Sequence, residues 1–124
     1  MTQRILVIED QDDLRAILRD FLTASGYDIV EAVDGGEGVA KARSLRPNLI
    51  LMDIQLPVLD GYEATRQIKA DPDLAETPVI AVSSFAMKGD EEKARASGCD
   101  GYVTKPYSPV KLLGMIRGFL GEQG

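Results

Sequence analysis

The feature of this sequence that most restricts its fold is a regular alternation of two kinds of segment. Short runs rich in apolar and β-branched residues recur along the chain, each bounded by charge, glycine or proline. They occupy residues 5–8, 28–30, 49–52, 79–82 and 102–104. All but one are almost entirely apolar, as expected of parallel strands that helices cover on both faces. The pattern predicts an α/β fold in which five strands form a doubly wound, open parallel sheet.

The segments between these runs have helical spacing and supply the five helices of the prediction. The first helix is expected to bury one face, made of Leu14, Ile17, Leu18, Phe21 and Leu22. Gly26 and Gly98 stand where the first and fourth helices should end, and Pro47 closes the second. Because the chain has no internal repeat, low-complexity tract or linker, residues 1–124 are expected to form a single domain.

Charge and composition exclude several classes of function. The chain has 14 Lys and Arg against 20 Asp and Glu, a net charge of −6, which argues against direct binding to nucleic acid. It has no histidine, so histidine-based catalysis and histidine metal sites are excluded. Cys99, the single cysteine, cannot form an internal disulfide and is expected to pack as a small buried side chain. No segment is suited to membrane insertion, and a cytoplasmic location is expected.

Residues whose side chains could bind a ligand or take part in catalysis follow four of the five predicted strands. Glu9 and Asp10 come after the first, Asp53 after the third, Ser83 after the fourth and Lys105 after the fifth. The carboxyl ends of parallel strands lie at one edge of the sheet, where ligands of doubly wound folds bind. These side chains are therefore expected to meet at one rim.

Three carboxylates at one rim repel one another and need compensation. Two charges roughly 4 Å apart cost about 4 kcal/mol at an effective dielectric constant near 20. One lysine, Lys105, cannot balance three charges, and an all-oxygen site with few ligands suits Mg²⁺. Mg²⁺ is often completed by phosphate oxygens, so phosphate chemistry is expected, with Asp53 as a candidate covalent nucleophile.

Each of these signals also has an ordinary structural explanation. Asp12 or Asp13 could cap the first helix, and Asp53 could be a turn residue. The pair that begins at Ser83 could bond to nearby backbone, and Lys105 could lie in a solvated turn. Taken singly these explanations are the simpler ones, but they do not explain why all the residues fall at the same end of the strands.

In combination, four segments resemble the receiver domain of bacterial two-component response regulators. They are "ILVIEDQDDLR", "PNLILMDIQLPVLDGYEATRQIK", "TPVIAVSS" and "GCDGYVTKPYSPVKLL", and the resemblance extends over residues 4–120. It implies the flavodoxin-like strand order 2-1-3-4-5 with five helices. The chain is similar to the stand-alone, single-domain cell-cycle regulators of this family, with no output domain in residues 1–124. A receiver domain excised from a hybrid histidine kinase or a larger regulator remains the alternative.

The resemblance assigns roles to the residues of the rim. Asp53 is implied to be the phosphoacceptor, and Lys105 and Ser83 the residues that act with it. Mg²⁺ is the implied cofactor, with Asp10 and Asp53 as direct ligands, Glu9 as a ligand through water and Gln55 as a ligand through its backbone carbonyl. These roles follow only from the positions of the residues in the family motifs.

A second set of positions is implied to carry the switch. Tyr102 matches the aromatic position that turns inward in relatives as Ser83 moves, although a half-buried strand aromatic explains it equally well. The Lys105-Pro106 peptide bond is typically cis in the family. Phe85 and Gln55 flank the path by which water would reach an aspartyl phosphate, and the sequence does not fix whether they slow or assist hydrolysis.

The resemblance implies a phosphoprotein that acts as a signalling switch in a two-component phosphorelay, not an enzyme with its own substrate. Because the chain lacks histidine, the phosphoryl donor must be a separate histidine kinase or histidine phosphotransferase. A downstream protein is expected to bind the face around the fourth helix, fifth strand and fifth helix. The protein is expected to be a monomer or a weak, phosphorylation-dependent dimer, without direct contact to nucleic acid.

Three functions of other kinds fit the sequence less well. A Mg²⁺-dependent phosphatase of the haloacid-dehalogenase type also uses an aspartyl nucleophile, but it needs a second aspartate where Gln55 stands. A flavodoxin-like FMN binder is disfavoured because the acidic segment "EDQDDL" would repel a phosphate. A receiver that signals without phosphorylation is disfavoured by the complete residue set.

Overall fold

The predicted alternation of strands and helices is confirmed. The computed structural model describes residues 2–84 and 89–121. The strands are β1 (Arg4–Ile8), β2 (Asp28–Ala32), β3 (Leu49–Asp53), β4 (Val79–Ser83) and β5 (Gly101–Thr104). The helices are α1 (Asp12–Ala24), α2 (Gly35–Leu45), α3 (Gly61–Ala70), α4 (Asp90–Ser97) and α5 (Pro109–Leu120).

All strand pairs are parallel, and the sheet has the order β2-β1-β3-β4-β5. This confirms the flavodoxin-like, doubly wound fold. The order reverses between β1 and β3, where Ile8 lies opposite Met52. Because the two strands end in register, the chain that leaves β1 at Glu9 runs beside Asp53, the last residue of β3. The topology therefore creates a crevice at the position where doubly wound folds bind ligands.

Successive residues of the central strands pack on opposite sides of the sheet. One core contains Leu6, Ile8, Ile50 and Met52 and is covered by residues of α2, α3 and α4. The other contains Ile5, Val7, Leu49 and Leu51 and is covered by residues of α1 and α5. All five residues of β3 and of β4 are buried. Burial on both faces explains why these strands read as continuous apolar runs rather than as alternating ones.

The helix ends follow the expected capping rules, with one correction. Side chains of Asp34, Asp60 and Ser108 accept hydrogen bonds at the starts of α2, α3 and α5. The suggestion that Asp12 or Asp13 caps α1 is wrong, because Gln11 is the N-cap and its side chain makes no capping bond. Both acids lie in the first turn, where the positive end of the helix dipole favours them.

The predicted apolar face of α1 is confirmed in part. Leu18 and Leu22 are buried and Leu14 and Phe21 are half-buried, whereas Ile17 is 61% exposed. Gly26 and Gly98 adopt positive φ angles of 100° and 110° where the first and fourth helices end, as the sequence predicts. Within residues 2–84 and 89–121, no helix has the length and apolar character needed to cross a membrane.

Candidate functional site

Three carboxylates meet in the crevice between β1 and β3. Glu9 and Asp10 follow β1, and Asp53 ends β3. One oxygen of each carboxylate lies within 4.8 Å of the others. Glu9 and Asp53 are buried, with exposed fractions of 3% and 4%, and Asp10 is exposed to solvent. The predicted convergence of these three residues is therefore present in the structure.

Lys105 reaches the same crevice from the far end of the chain. Its Nζ donates hydrogen bonds to Oε1 of Glu9 at 2.9 Å and to Oδ2 of Asp53 at 3.2 Å. Its backbone N–H donates to the carbonyl of Ser83 at 2.7 Å, which fixes the chain just after β5. The following peptide bond, to Pro106, is cis, as the family resemblance implies.

The crevice shifts the ionisation of its groups. Burial raises the pKa of Glu9, and the neighbouring Asp53 adds to the effect. Burial also raises the pKa of Asp10, with a further contribution from Glu9. Burial by itself would lower the pKa of Lys105, but Glu9 and Asp53 outweigh it and the pKa is raised.

Charge balance indicates which ligand fits. Three carboxylates against one ammonium leave an excess of negative charge in a largely buried site. The donors are all oxygens, and one carboxylate faces solvent and gives an ion access. These properties match a small, hard divalent cation such as Mg²⁺, which keeps several of its waters. The residues present therefore fit the cation that the sequence predicts.

The loop between β3 and α3 lies tightly against Asp53. The backbone N–H of Gln55 donates to Oδ1 of Asp53 at 2.9 Å. A Cβ on Gly61 would lie 2.4 Å from the carbonyl oxygen of Asp53, so only glycine allows α3 to begin this close to the end of β3. The loop thus fixes the orientation of the Asp53 carboxylate.

Ser83 completes the rim, and the Gln55 side chain is attached to it. Ser83 is fully buried at the end of β4. Nε2 of Gln55 donates to Oγ of Ser83 at 3.3 Å, and Oε1 of Gln55 accepts from the backbone N–H of Ser84 at 3.0 Å. The sequence predicts roles for the backbone carbonyl of Gln55 and for its amide beside the path of water, but not these side-chain contacts.

Arg15 is a second residue that the sequence analysis missed. From the first turns of α1, its Nη1 donates to the backbone carbonyl of Glu9 at 2.8 Å, and its Nε donates to Oε1 of Glu31 at 3.1 Å. The guanidinium also pairs with Asp12. Arg15 thereby ties the segment that carries Glu9 to both α1 and β2. In the sequence, the only indication of this role is that an arginine follows the acidic pair Glu9 and Asp10 within one to two helical turns.

The remaining predicted positions lie further from the crevice. Tyr102 is half-buried on β5 and lines a surface cleft with Arg95, Met115 and Phe119, between α4 and α5. Cys99 is buried, as predicted, and burial raises the pKa of its thiol. Phe85 lies outside the described residues.

The strand order and the crevice together define a receiver domain, and the comparisons with known proteins agree. Residues 5–117 match the family described as response regulator receiver domain. The chain belongs to this family and is a component of two-component signalling.

The chain is similar to the polar-differentiation response regulators DivK of Brucella ovis and Brucella melitensis. It is 43% identical to each over 122 residues, which cover 98% of this chain and 99% of theirs. The receiver domain of the sensor histidine kinase PA1611 from Pseudomonas aeruginosa PAO1 has a magnesium ion coordinated in its active site cleft. It superposes with a TM-score of 0.91 at 34% identity, over 98% of this chain and 100% of that one. Chemotaxis response regulator CheY4 of Vibrio cholerae gives a TM-score of 0.91 at 26% identity, over 97% and 100%.

Proposed function

We propose that this protein is a phosphorylation-activated switch in which Asp53 accepts a phosphoryl group in the presence of Mg²⁺. The observation that supports this most is the environment of the Asp53 carboxylate. Oδ2 accepts from Lys105 and Oδ1 from the Gln55 N–H, while Glu9 and Asp10 lie within 4.8 Å. This is a buried nucleophile held in one orientation beside a cation site.

In the proposed reaction, a carboxylate oxygen of Asp53 attacks the phosphorus atom of a phosphohistidine. A P–O bond forms on Asp53 and the P–N bond of the donor breaks, so the electron pair stays on the imidazole nitrogen. Lys105 holds one phosphoryl oxygen, and the hydroxyl of Ser83 donates to another. Asp10, Asp53, the Gln55 carbonyl and, through water, Glu9 would hold Mg²⁺, which supplies neutralisation of the phosphoryl charge.

The donor in this proposal is another protein or domain, a histidine kinase or a histidine phosphotransferase, because the chain has no histidine. An apolar groove beside the crevice supports a docking site for it. The groove is lined by Leu14, Ile17, Lys105, Pro106, Tyr107 and Pro109. The exposure of Ile17, which was expected in the core, fits a side chain that a donor helix would cover.

The proposed output is a change in protein binding on the α4-β5-α5 face. Ser83 lies opposite Thr104 in the sheet, and Ala81 lies opposite Tyr102, so movement at the end of β4 would be transmitted to β5.

The proposal also includes a cytoplasmic location and an oligomeric state. We expect the protein to be a monomer, or a weak dimer when phosphorylated. A receiver domain of a hybrid histidine kinase would use the same chemistry.

The phosphatase alternative has less support. Such an enzyme has an aspartate that acts as general acid at the position of Gln55. The Gln55 amide is hydrogen-bonded to Ser83 and Ser84 and has no proton acidic enough for this role. The protein is therefore proposed to form and lose its own aspartyl phosphate rather than to turn over an external substrate.

The test is phosphorylation with acetyl phosphate and Mg²⁺, followed by intact mass spectrometry. Wild type should gain one phosphoryl group, and Asp53→Asn should gain none. Uptake of phosphate by Asp53→Asn at the wild-type level would refute the proposal. Repeated hydrolysis of p-nitrophenyl phosphate by wild type, and not by Asp53→Asn, would support the phosphatase instead.

A further inference from the structure

The side chain of Gln55 connects two segments that the proposed function requires to move relative to each other. The Gln55 backbone is bonded to Oδ1 of Asp53. Its side chain is bonded to two successive residues at the end of β4, Ser83 and Ser84. The amide uses both its donor and its acceptor in these contacts, which a side chain directed only at solvent would not do.

These contacts occur in the protein without a phosphoryl group on Asp53. The Gln55 N–H donates to a charged carboxylate, and hydrogen bonds to charged acceptors are roughly twice as strong as neutral ones. Phosphorylation would convert that carboxylate into a neutral acyl group and weaken the bond. It would also place phosphoryl oxygens in competition for the hydroxyl of Ser83. Both effects loosen Gln55 from its partners.

We propose that the Gln55 side chain is a latch that holds the carboxyl end of β4 in the unphosphorylated conformation and releases it when Asp53 is phosphorylated. The latch rests on the proposed function, because it describes how the same site is regulated. Gln55 is a positioning residue here, since it acts on Ser83 and Ser84. The observations that carry it are the two side-chain hydrogen bonds and their attachment to consecutive residues of one strand end.

The latch makes a quantitative prediction about the equilibrium between the two conformations. Removal of a latch destabilises only the conformation in which it is closed, so the phosphorylated conformation becomes easier to reach. Beryllofluoride with Mg²⁺ serves as the phosphoryl analogue. Loss of the equivalent of one net hydrogen bond should lower the midpoint of a beryllofluoride titration about fivefold in Gln55→Met.

The experiment follows the backbone amide resonances of Ser84 and Thr104 by NMR in wild type, Gln55→Met and the matched control Gln67→Met. Gln67 lies on α3, away from β4, and its amide nitrogen donates to Oε2 of Glu63. Without analogue, the Ser84 and Thr104 resonances of Gln55→Met should shift toward the wild-type positions with beryllofluoride. Its Ser84 amide should exchange with solvent faster, and Gln67→Met should match wild type throughout.

Gln55→Glu separates a specific contact from a general disturbance of the loop. A glutamate keeps an acceptor for the Ser84 N–H but loses the amide donor, so the Ser84 amide should exchange at close to the wild-type rate without Mg²⁺. If Gln55→Met leaves the midpoint, the resonances and the Ser84 exchange rate unchanged, or raises the midpoint, there is no latch. If wild type itself does not respond to beryllofluoride and Mg²⁺, the proposed function fails and the latch fails with it.

Discussion

The Nζ of Lys105 lies 2.9 Å from Oε1 of Glu9, although the two residues are 96 positions apart in the chain. The contact joins the residue after β1 to the residue after β5, across the whole width of the rim. It is shorter than the 3.2 Å contact of the same ammonium with Asp53. Without a cation, Lys105 is therefore the group that offsets the charge of the buried acids.

Replacement of Lys105 should destabilise the protein mainly when Mg²⁺ is absent. In Lys105→Met, Glu9 and Asp53 lose a partner that is only 16% exposed, and we expect the free energy of unfolding to fall by about 1–2 kcal/mol. Saturating Mg²⁺ should restore most of this loss, because the cation takes over the neutralisation. Urea denaturation with and without Mg²⁺ measures both values.

Lys111→Met is the control for this variant, since Lys111 is exposed on α5. It should show no dependence of its stability difference on Mg²⁺. An equal loss for Lys105→Met with and without Mg²⁺ would contradict the view that the lysine acts through charge.

The pH dependence of stability should carry the signature of Glu9. Its pKa is raised in the folded protein, so protonation stabilises the fold. That contribution is complete below the ordinary glutamate value of about 4.3 and is lost as the pH rises through the higher folded value. Relative to Glu9→Gln, which mimics the protonated form, wild type should lose stability as the pH rises in the absence of Mg²⁺.

Urea denaturation of both proteins between about pH 4 and pH 8 measures this difference. Mg²⁺ should reduce it at the upper end of the range in wild type, because cation binding favours the charged carboxylate. A difference between the two proteins that stays constant with pH, or that grows in favour of wild type, would show that the Glu9 pKa is not raised.

Loss of Arg15 should weaken Mg²⁺ binding without removing any ligand. The Arg15 guanidinium holds the carbonyl of Glu9 in place, and its side chain is only 13% exposed. We expect Arg15→Met to raise the Kd for Mg²⁺ several-fold and to lower the free energy of unfolding by about 1 kcal/mol. Isothermal titration calorimetry gives the first value and urea denaturation the second.

Arg19→Met provides the matched comparison, because Arg19 also pairs with Glu31 but has Asp20, not the Glu9 carbonyl, as its other partner. Its Mg²⁺ affinity should equal that of wild type. Equal loss of affinity in both variants would mean that the positive charge of α1, and not the contact with the Glu9 carbonyl, is what matters.

Two glycine-to-alanine changes on helices should have opposite effects. A Cβ at Gly61 would meet the backbone of Asp53 and Ile54, so Gly61→Ala should destabilise the protein by about 2 kcal/mol or more and displace Asp53. A Cβ at Gly114 meets nothing within 4 Å, so Gly114→Ala should stabilise α5 by about 0.5–1 kcal/mol. Thermal denaturation compares them, and a stabilised Gly61→Ala would contradict the close approach.

The fold could be predicted from the sequence because its information is local and repeated. The strands β3 and β4 are buried on both faces, and this burial requires continuous apolar runs that can be recognised in the sequence without knowledge of tertiary contacts. Only the strand order had to be taken from the family resemblance, because periodicity does not show which strands are neighbours in the sheet. The cap of α1 was misassigned because the sequence does not show at which residue the backbone becomes helical, and the structure makes Gln11, not Asp12 or Asp13, the N-cap.

The convergence of Glu9, Asp10, Asp53 and Lys105 could be predicted because parallel strands bring their carboxyl ends to one edge. The contacts of Gln55 and Arg15 could not. Both depend on which rotamer a long side chain adopts and on partners far away in the chain, such as Ser83 and Glu31. The exposure of Ile17 could not be predicted either, because helical spacing does not show where the packed surface of the sheet ends.

The sequence by itself therefore determined the elements, the composition of the rim and the absence of any histidine. The elements and the rim follow from local periodicity and from the parallel topology. The tertiary structure decided which groups are bonded in the crevice, and hence that Gln55 links Asp53 to the end of β4. Hydrogen bonds operate over about 3 Å, and only a folded chain fixes distances at that scale.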